Sequence, residues 1–301
     1  MIICTDGLAN QGLGSLEGEG HEFVAFYTEC AEQALLKGVS VSVLSIVGTE
    51  CNIEQLSVVA ERTRGAVERV DPQKLRTQMD AIVGAAPPLA YGVMGMVMLH
   101  RGLRFRGEMA DEAEQRYWVV KDLGNVNRDS EYSFSYGFRP RSEVDLADLS
   151  EVPFQVQLLY TRPDGAVLVR CATARVPVTE SREEAERGAD VEVIGAFTAQ
   201  HAAQLAKRGD YEQAQIETRN AQRLMERADG DAAAISTWSS SVAPMYDAIR
   251  AEKASKRSGG KKKRKGAARD DAFAAVISQQ ATTNTAKLFS AQTADYDDDD
   301  D

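Results

Sequence analysis

The chain has 301 residues, 43% of them hydrophobic and 27% charged, enough to bury a real core and to fill two or three domains. Its 46 acidic against 35 basic side chains leave a net charge of −11, which excludes a general nucleic-acid binder, because neutralising phosphates needs a cationic face. No apolar run approaches the ~20 residues of a membrane span and no basic-then-apolar leader opens the chain, so a cytoplasmic location is expected, with a nuclear one as the alternative.

Ile2 to Cys4 reads as a short apolar strand running into the acidic turn Thr5-Asp6-Gly7. Open α/β sheets place their ligands at the carboxyl ends of strands, so Asp6 stands where a carboxylate could meet a ligand or a metal ion. The bland alternative is an Asx turn, in which the carboxylate only closes the chain reversal. A parallel strand buried on both faces needs neighbours, and the strands downstream supply only some of them. The chain therefore reads as the latter part of a larger design.

A glycine-rich loop over residues 12–20 leads to a helix carrying Phe23, Phe26, Tyr27, Cys30, Ala34 and Leu35 at helical spacing and closed by Gly38. Val39 to Val47 is β-branched enough for a buried strand. Ile53, Leu56, Val59 and Ala60 mark a second helix, and Gly65 to Val70 a third strand. Asp71-Pro72 starts another helix, with an N-cap acceptor and proline in the first turn ahead of Leu75, Met79 and Ile82. The alternation of strand and helix over residues 1–83 predicts an α/β unit with a parallel sheet and right-handed crossovers.

After Pro87-Pro88 the periodicity changes. Strands are expected at Val93 to Leu99, Leu103 to Phe105, Arg116 to Val120, Tyr132 to Tyr136, Phe154 to Tyr160 and Ala166 to Val176, with a hairpin at Thr161-Arg162-Pro163-Asp164-Gly165. Residues 90–178 thus read as an all-β sandwich. Residues 181–250 read as helical, with a turn at Gly209-Asp210-Tyr211. The acidic run Glu180, Glu183, Glu184 and Glu186 suits the positive end of a helix. Residues 251–301 read as a disordered basic and acidic tail, interrupted by a short helix around Asp271 to Gln280.

The chemistry-bearing residues are scattered. Cys4, Cys30 and Cys171 fall within apolar patterns and are expected as buried, reduced thiols. His21, His100 and His201 lack metal-binding spacing and read as packing or surface residues. Ser15 sits in neither a nucleophile elbow nor a phosphate loop, and Trp118 and Trp238 read as core or docking residues. The basic run Lys261, Lys262, Lys263, Arg264 and Lys265 could serve nuclear import, RNA or anionic lipid. Otherwise it is a flexible linker paired with Asp297 to Asp301.

Several of these residues carry a resemblance. The strand entering Thr5-Asp6-Gly7, the helix ending at Gly38, the strand Val41 to Gly48 and the run Leu56 to Val70, with Thr63 and Gly65, together resemble the second half of a von Willebrand factor type A domain. The resemblance implies that Asp6 belongs to a metal-ion-dependent adhesion site. Mg²⁺ would be held there by the complete family site, whose other ligands lie upstream, and not by this chain alone. The order of A-type block, β-sandwich and helical segment is similar to the inner COPII coat subunits, with Phe154 to Tyr160 and Val167 to Arg175 looking like their paired sandwich strands. Circularly permuted Ras-like proteins attach a GTPase to such a region. The expectation is a non-catalytic scaffold that binds other proteins, with vesicle trafficking as its specific form. The alternative is the regulatory half of a GTPase-containing protein.

Overall fold

The computed structural model describes residues 1–16, 22–48, 51–84, 87–106, 117–140, 150–257 and 265–289. The first unit alternates β1 (Ile2–Thr5), α1 (Glu22–Leu36), β2 (Ser42–Ile46), α2 (Ile53–Thr63), β3 (Val67–Val70) and α3 (Leu75–Val83). Each strand returns through a helix, so the sheet is parallel, in the order β1-β2-β3. Ile3 pairs with Val43, and Val43 with Val67. The central strand is the most buried, and Val43 and Leu44 are almost wholly enclosed. The buried face of α2 is made by Ile53, Leu56, Ser57, Val59, Ala60 and Thr63, the periodicity expected of one helix stripe. Asp71 accepts from the Gln73 amide and Pro72 opens the turn before α3, as the sequence suggests.

The join between α2 and β3 is unusually tight. Arg64 takes a left-handed conformation, φ +60°, and Gly65 follows it against the backbone at the start of β2. Thr63 is fully buried, and its hydroxyl accepts from the Val41 amide at 2.9 Å while donating to the Val59 carbonyl at 2.8 Å.

The second unit is entirely antiparallel. A four-stranded sheet runs in the order β6 (Trp118–Val126), β4 (Ala90–Leu99), β8 (Glu151–Thr161) and β9 (Val167–Pro177), beside a two-stranded sheet of β5 (Leu103–Arg106) and β7 (Ser135–Phe138). Both sheets feed one core, built on Leu99, Leu103, Phe105, Val119 and Val152 with Phe134 and Phe154 against it. The β8–β9 hairpin turns at Gly165, φ +84°, with the Asp164 carboxylate accepting from the Ala166 amide.

The third unit comprises α4 (Arg182–Arg187), α5 (Val191–Lys207), α6 (Tyr211–Met225), α7 (Ala232–Arg257), α8 (Lys265–Ala281) and α9 (Thr285–Phe289). Buried alanines at 199, 202, 203, 206 and 214 let α5 and α6 approach closely around Met225, Trp238, Met245 and Ile249. Trp238 is a core residue, its indole N–H donating to the Gly195 carbonyl. The Glu180 to Glu186 run starts α4 as expected, with Ser181 accepting from the Glu184 amide.

Two expectations need correction. The short helix expected around Asp271 to Gln280 is present within α8, but residues 265–289 are not otherwise a disordered tail: α8 and α9 pack into the molecule, and Ile277 and Leu288 are buried to 1% exposure. Helix α8 lies against α2 and β3 on one side and against α5 and α7 on the other. The apolar stripe that holds it was diluted by the charged residues averaged around it. Residues 258–264 and 290–301, with Lys261 to Arg264 and Asp297 to Asp301, lie outside the described residues.

The cysteines are also reversed. Cys4, Cys30 and Cys171 are exposed and Cys51 is buried, all four as free thiols. Cys4 and Cys171 stand on strands that end their sheets, where one side lacks a neighbouring strand among the described residues. An apolar neighbourhood in sequence therefore gives no cover.

Candidate functional site

Asp6 follows β1 at the carboxyl end of the parallel sheet, the position expected from the sequence. Its carboxylate is exposed and does not close the turn. That work falls to Thr5, whose hydroxyl donates to the Gly7 carbonyl at 2.8 Å and faces the Gly7 amide at 3.4 Å. The Asx-turn alternative therefore belongs to the wrong residue.

A lone carboxylate does not fit Mg²⁺, which demands near-octahedral oxygen coordination. Among the described residues no group of three or more His, Cys, Asp or Glu could hold a metal ion. The expected result of titrating Mg²⁺ into this chain is a dissociation constant of millimolar or weaker. Micromolar affinity abolished by Asp6→Ala, measured by calorimetry, would overturn that.

The same end of the sheet holds a residue that sequence reasoning missed. Asp271 of α8, 4% exposed, accepts from the Cys51 amide and the Ile53 amide, each at 2.7 Å. One carboxylate thus caps the positive end of α2 with both oxygens, the place where a helix receives an anion. Asn52 between the two donors adopts φ +53° and contributes no side-chain cap of its own. Farther along α2, Glu61 accepts from Ser278 of α8 and pairs with Lys207 of α5. Nothing local marks Asp271 as special, because its partners lie about 220 positions away in sequence.

The remaining candidates are dispersed. The His100 ring nitrogen accepts from the Gly102 amide, and His201 stacks on Phe197, while His21 is outside the described residues. Glu186 is held below the usual carboxylate range by hydrogen bonds from Arg182 and Arg227, a surface ion-pair cluster. Lys265 begins α8. Strand β9 is exposed at all eleven residues, including Val167 and Val169. Among the described residues no helix is long and apolar enough to cross a membrane.

Set against solved structures, the arrangement overlays the human COPII-coat protein Sec24c with a TM-score of 0.61 and 13% identity, over 95% of this chain and 40% of that one. The chain shares its fold with that part of Sec24c. A von Willebrand factor type A structure from Catenulispora acidiphila aligns at a TM-score of 0.47 and 13% identity, over 94% of this chain and 65% of that one, too loosely to bear on the fold. By sequence the chain is similar to Circularly permutated Ras protein 1 of Dictyostelium discoideum, 25% identical over 229 residues. The match takes in 75% of this chain and 26% of that protein, so the chain spans about a quarter of the length of its curated relative. No family model matches the sequence.

Proposed function

We propose that the chain is part of a non-catalytic protein-interaction scaffold of the vesicle-coat type, acting in the cytoplasm. The observation that carries this reading is the continuity of the likeness to a coat subunit through all three units, 95% of the chain. The long exposed β9 is consistent with it, since an open strand edge offers main-chain donors and acceptors to another polypeptide. In the complete protein Asp6 would supply one oxygen ligand to a divalent ion, with the remaining ligands coming from outside this chain. The partner's carboxylate would finish the shell.

A cell-free budding reaction from microsomal membranes tests the coat reading. The expected result is that the complete protein leaves with the released vesicles in a saturable manner. A protein that stays in the soluble fraction at every concentration would overturn it. The sequence relative favours a second reading, in which this region regulates a GTPase carried elsewhere in the protein. Saturable binding of a fluorescent GTP analogue by the complete protein, with no vesicle association, would select that reading.

A further inference from the structure

Strand β9 is open along its edge and on both faces. It ends its sheet, all eleven of its residues are exposed, and among the described residues β8 alone lies along it. Hydrogen bonds fix which of its main-chain groups are free. The Arg162 amide donates to the Ala166 carbonyl at one end of the β8–β9 hairpin and the Val178 amide to the Ser150 carbonyl at the other, in a ladder without a register shift. Antiparallel pairs alternate between bonded and unbonded, so the even-numbered residues of β9 are tied to β8. The amides and carbonyls of Val167, Val169, Cys171, Thr173 and Arg175 therefore point to the open edge.

Edges of this length are ordinarily blunted by a bulge, by proline within the strand or by clustered charge. β9 has no bulge and no proline before its last residue, Pro177, and it carries Val167 and Val169 at 66% and 67% exposure. Its only charges are Arg170 and Arg175, and Arg175 already faces Glu151 of β8 at 3.8 Å. The edge is thus open to another strand.

The strand is its own complement. A second copy turned about a two-fold axis at Ala172 overlaps the whole of β9 and sets edge-facing positions against edge-facing positions, as an antiparallel ladder requires. Leu168 then lies opposite Val176 of the second copy, Arg170 opposite Ala174 and Arg175 opposite Val169, so each arginine meets a small or apolar side chain and never another arginine. The donor that Pro177 lacks is missed only at the two outer ends. We propose that two copies of this chain associate through β9, joining their four-stranded sheets into one continuous sheet. This rests on the scaffold reading in treating the edge as an interface, and it names the polypeptide that the edge takes. Eleven residues a side, against about 20–30 in a standard interface, make the dimer weak, with a dissociation constant in the micromolar range.

Sedimentation equilibrium on the 301-residue chain reads the association directly, and a reversible monomer–dimer equilibrium is expected. Val169→Pro removes one edge-facing donor from each copy and no bond to β8, so it should weaken the dimer about tenfold or more. Its unfolding midpoint should equal the parent's. Val169→Glu sets a carboxylate opposite Arg175 of the second copy and should tighten the dimer roughly threefold to tenfold, whereas Val169→Lys should loosen it by a similar factor. General repulsion between two bodies of net charge −11 predicts the reverse order, so the sign of the pair tests the register. A chain that is monomeric up to millimolar concentration, a dimer unmoved by Val169→Pro, or the reverse order of the Glu and Lys variants would overturn the proposal. So would a marked fall in the midpoint of Val169→Pro, which would mean that its amide is bonded within the chain. None of these results bears on the coat reading, which the vesicle experiment tests separately.

Discussion

Asp271→Ala is expected to lower the unfolding free energy by about 2–4 kcal/mol, because it strands two buried backbone donors at once. Cys51 and Ile53 are both fully buried, so no water replaces the carboxylate at their amides. The substitution also detaches α8 from the positive end of α2. Asp271→Asn keeps the shape but offers one acceptor where two are used, and roughly half the loss should remain. Urea denaturation gives the free energy, and amide hydrogen exchange at Cys51 and Ile53 locates it. A free energy for Asp271→Ala within about 0.5 kcal/mol of the parent would refute the capping role.

Gly65→Ala should be of comparable severity for a different reason. A Cβ at this position would lie 1.8 Å from the Val41 carbonyl oxygen and 2.8 Å from the Ser42 amide nitrogen. These are backbone atoms of the chain entering the central strand, so no side chain can rotate away. The α2–β3 connection or β2 itself must move, which places the cost at about 3 kcal/mol, the upper end for overpacking. The same exchange at Gly7, where a Cβ meets nothing within 4 Å, should change stability by no more than about 0.5 kcal/mol. Equal thermal midpoints for the two variants would show that the contact is absent in solution.

What could be read from the sequence divides along the range of the interactions. The helix from Ile53 and the strands around Val43 and Leu158 are periodic in their own residues, so local pattern identifies them. Their ends shift because they depend on pairing: Val39 and Val41 look like strand residues, but β2 begins only at Ser42, where its partners start. Thr63 and Gly65 were visible as part of a family resemblance, and their structural reason is the close contact with Val41. Asp271 and Asn125 were invisible for opposite reasons. One is defined by partners more than 200 positions distant, the other by a side chain with no partner among the described residues. The α8 segment reads from sequence only as a short helix around Asp271 to Gln280 within a tail, because its neighbours are lysine-rich on one side and aspartate-rich on the other, while its own buried stripe of Ala275, Ile277 and Ser278 is narrow.

The burial of Cys51 turns the chain into its own reporter. Three of the four thiols are open to an alkylating reagent in the folded molecule, and the fourth lies beneath α8, with its amide held by Asp271. Once Cys4, Cys30 and Cys171 are blocked, any further uptake of label counts the moments when α8 lifts away from α2. The labelling rate therefore clocks the separation of the helical unit from the α/β unit without an introduced probe, and it does so under native conditions, where denaturant curves see only the molecule coming apart as a whole.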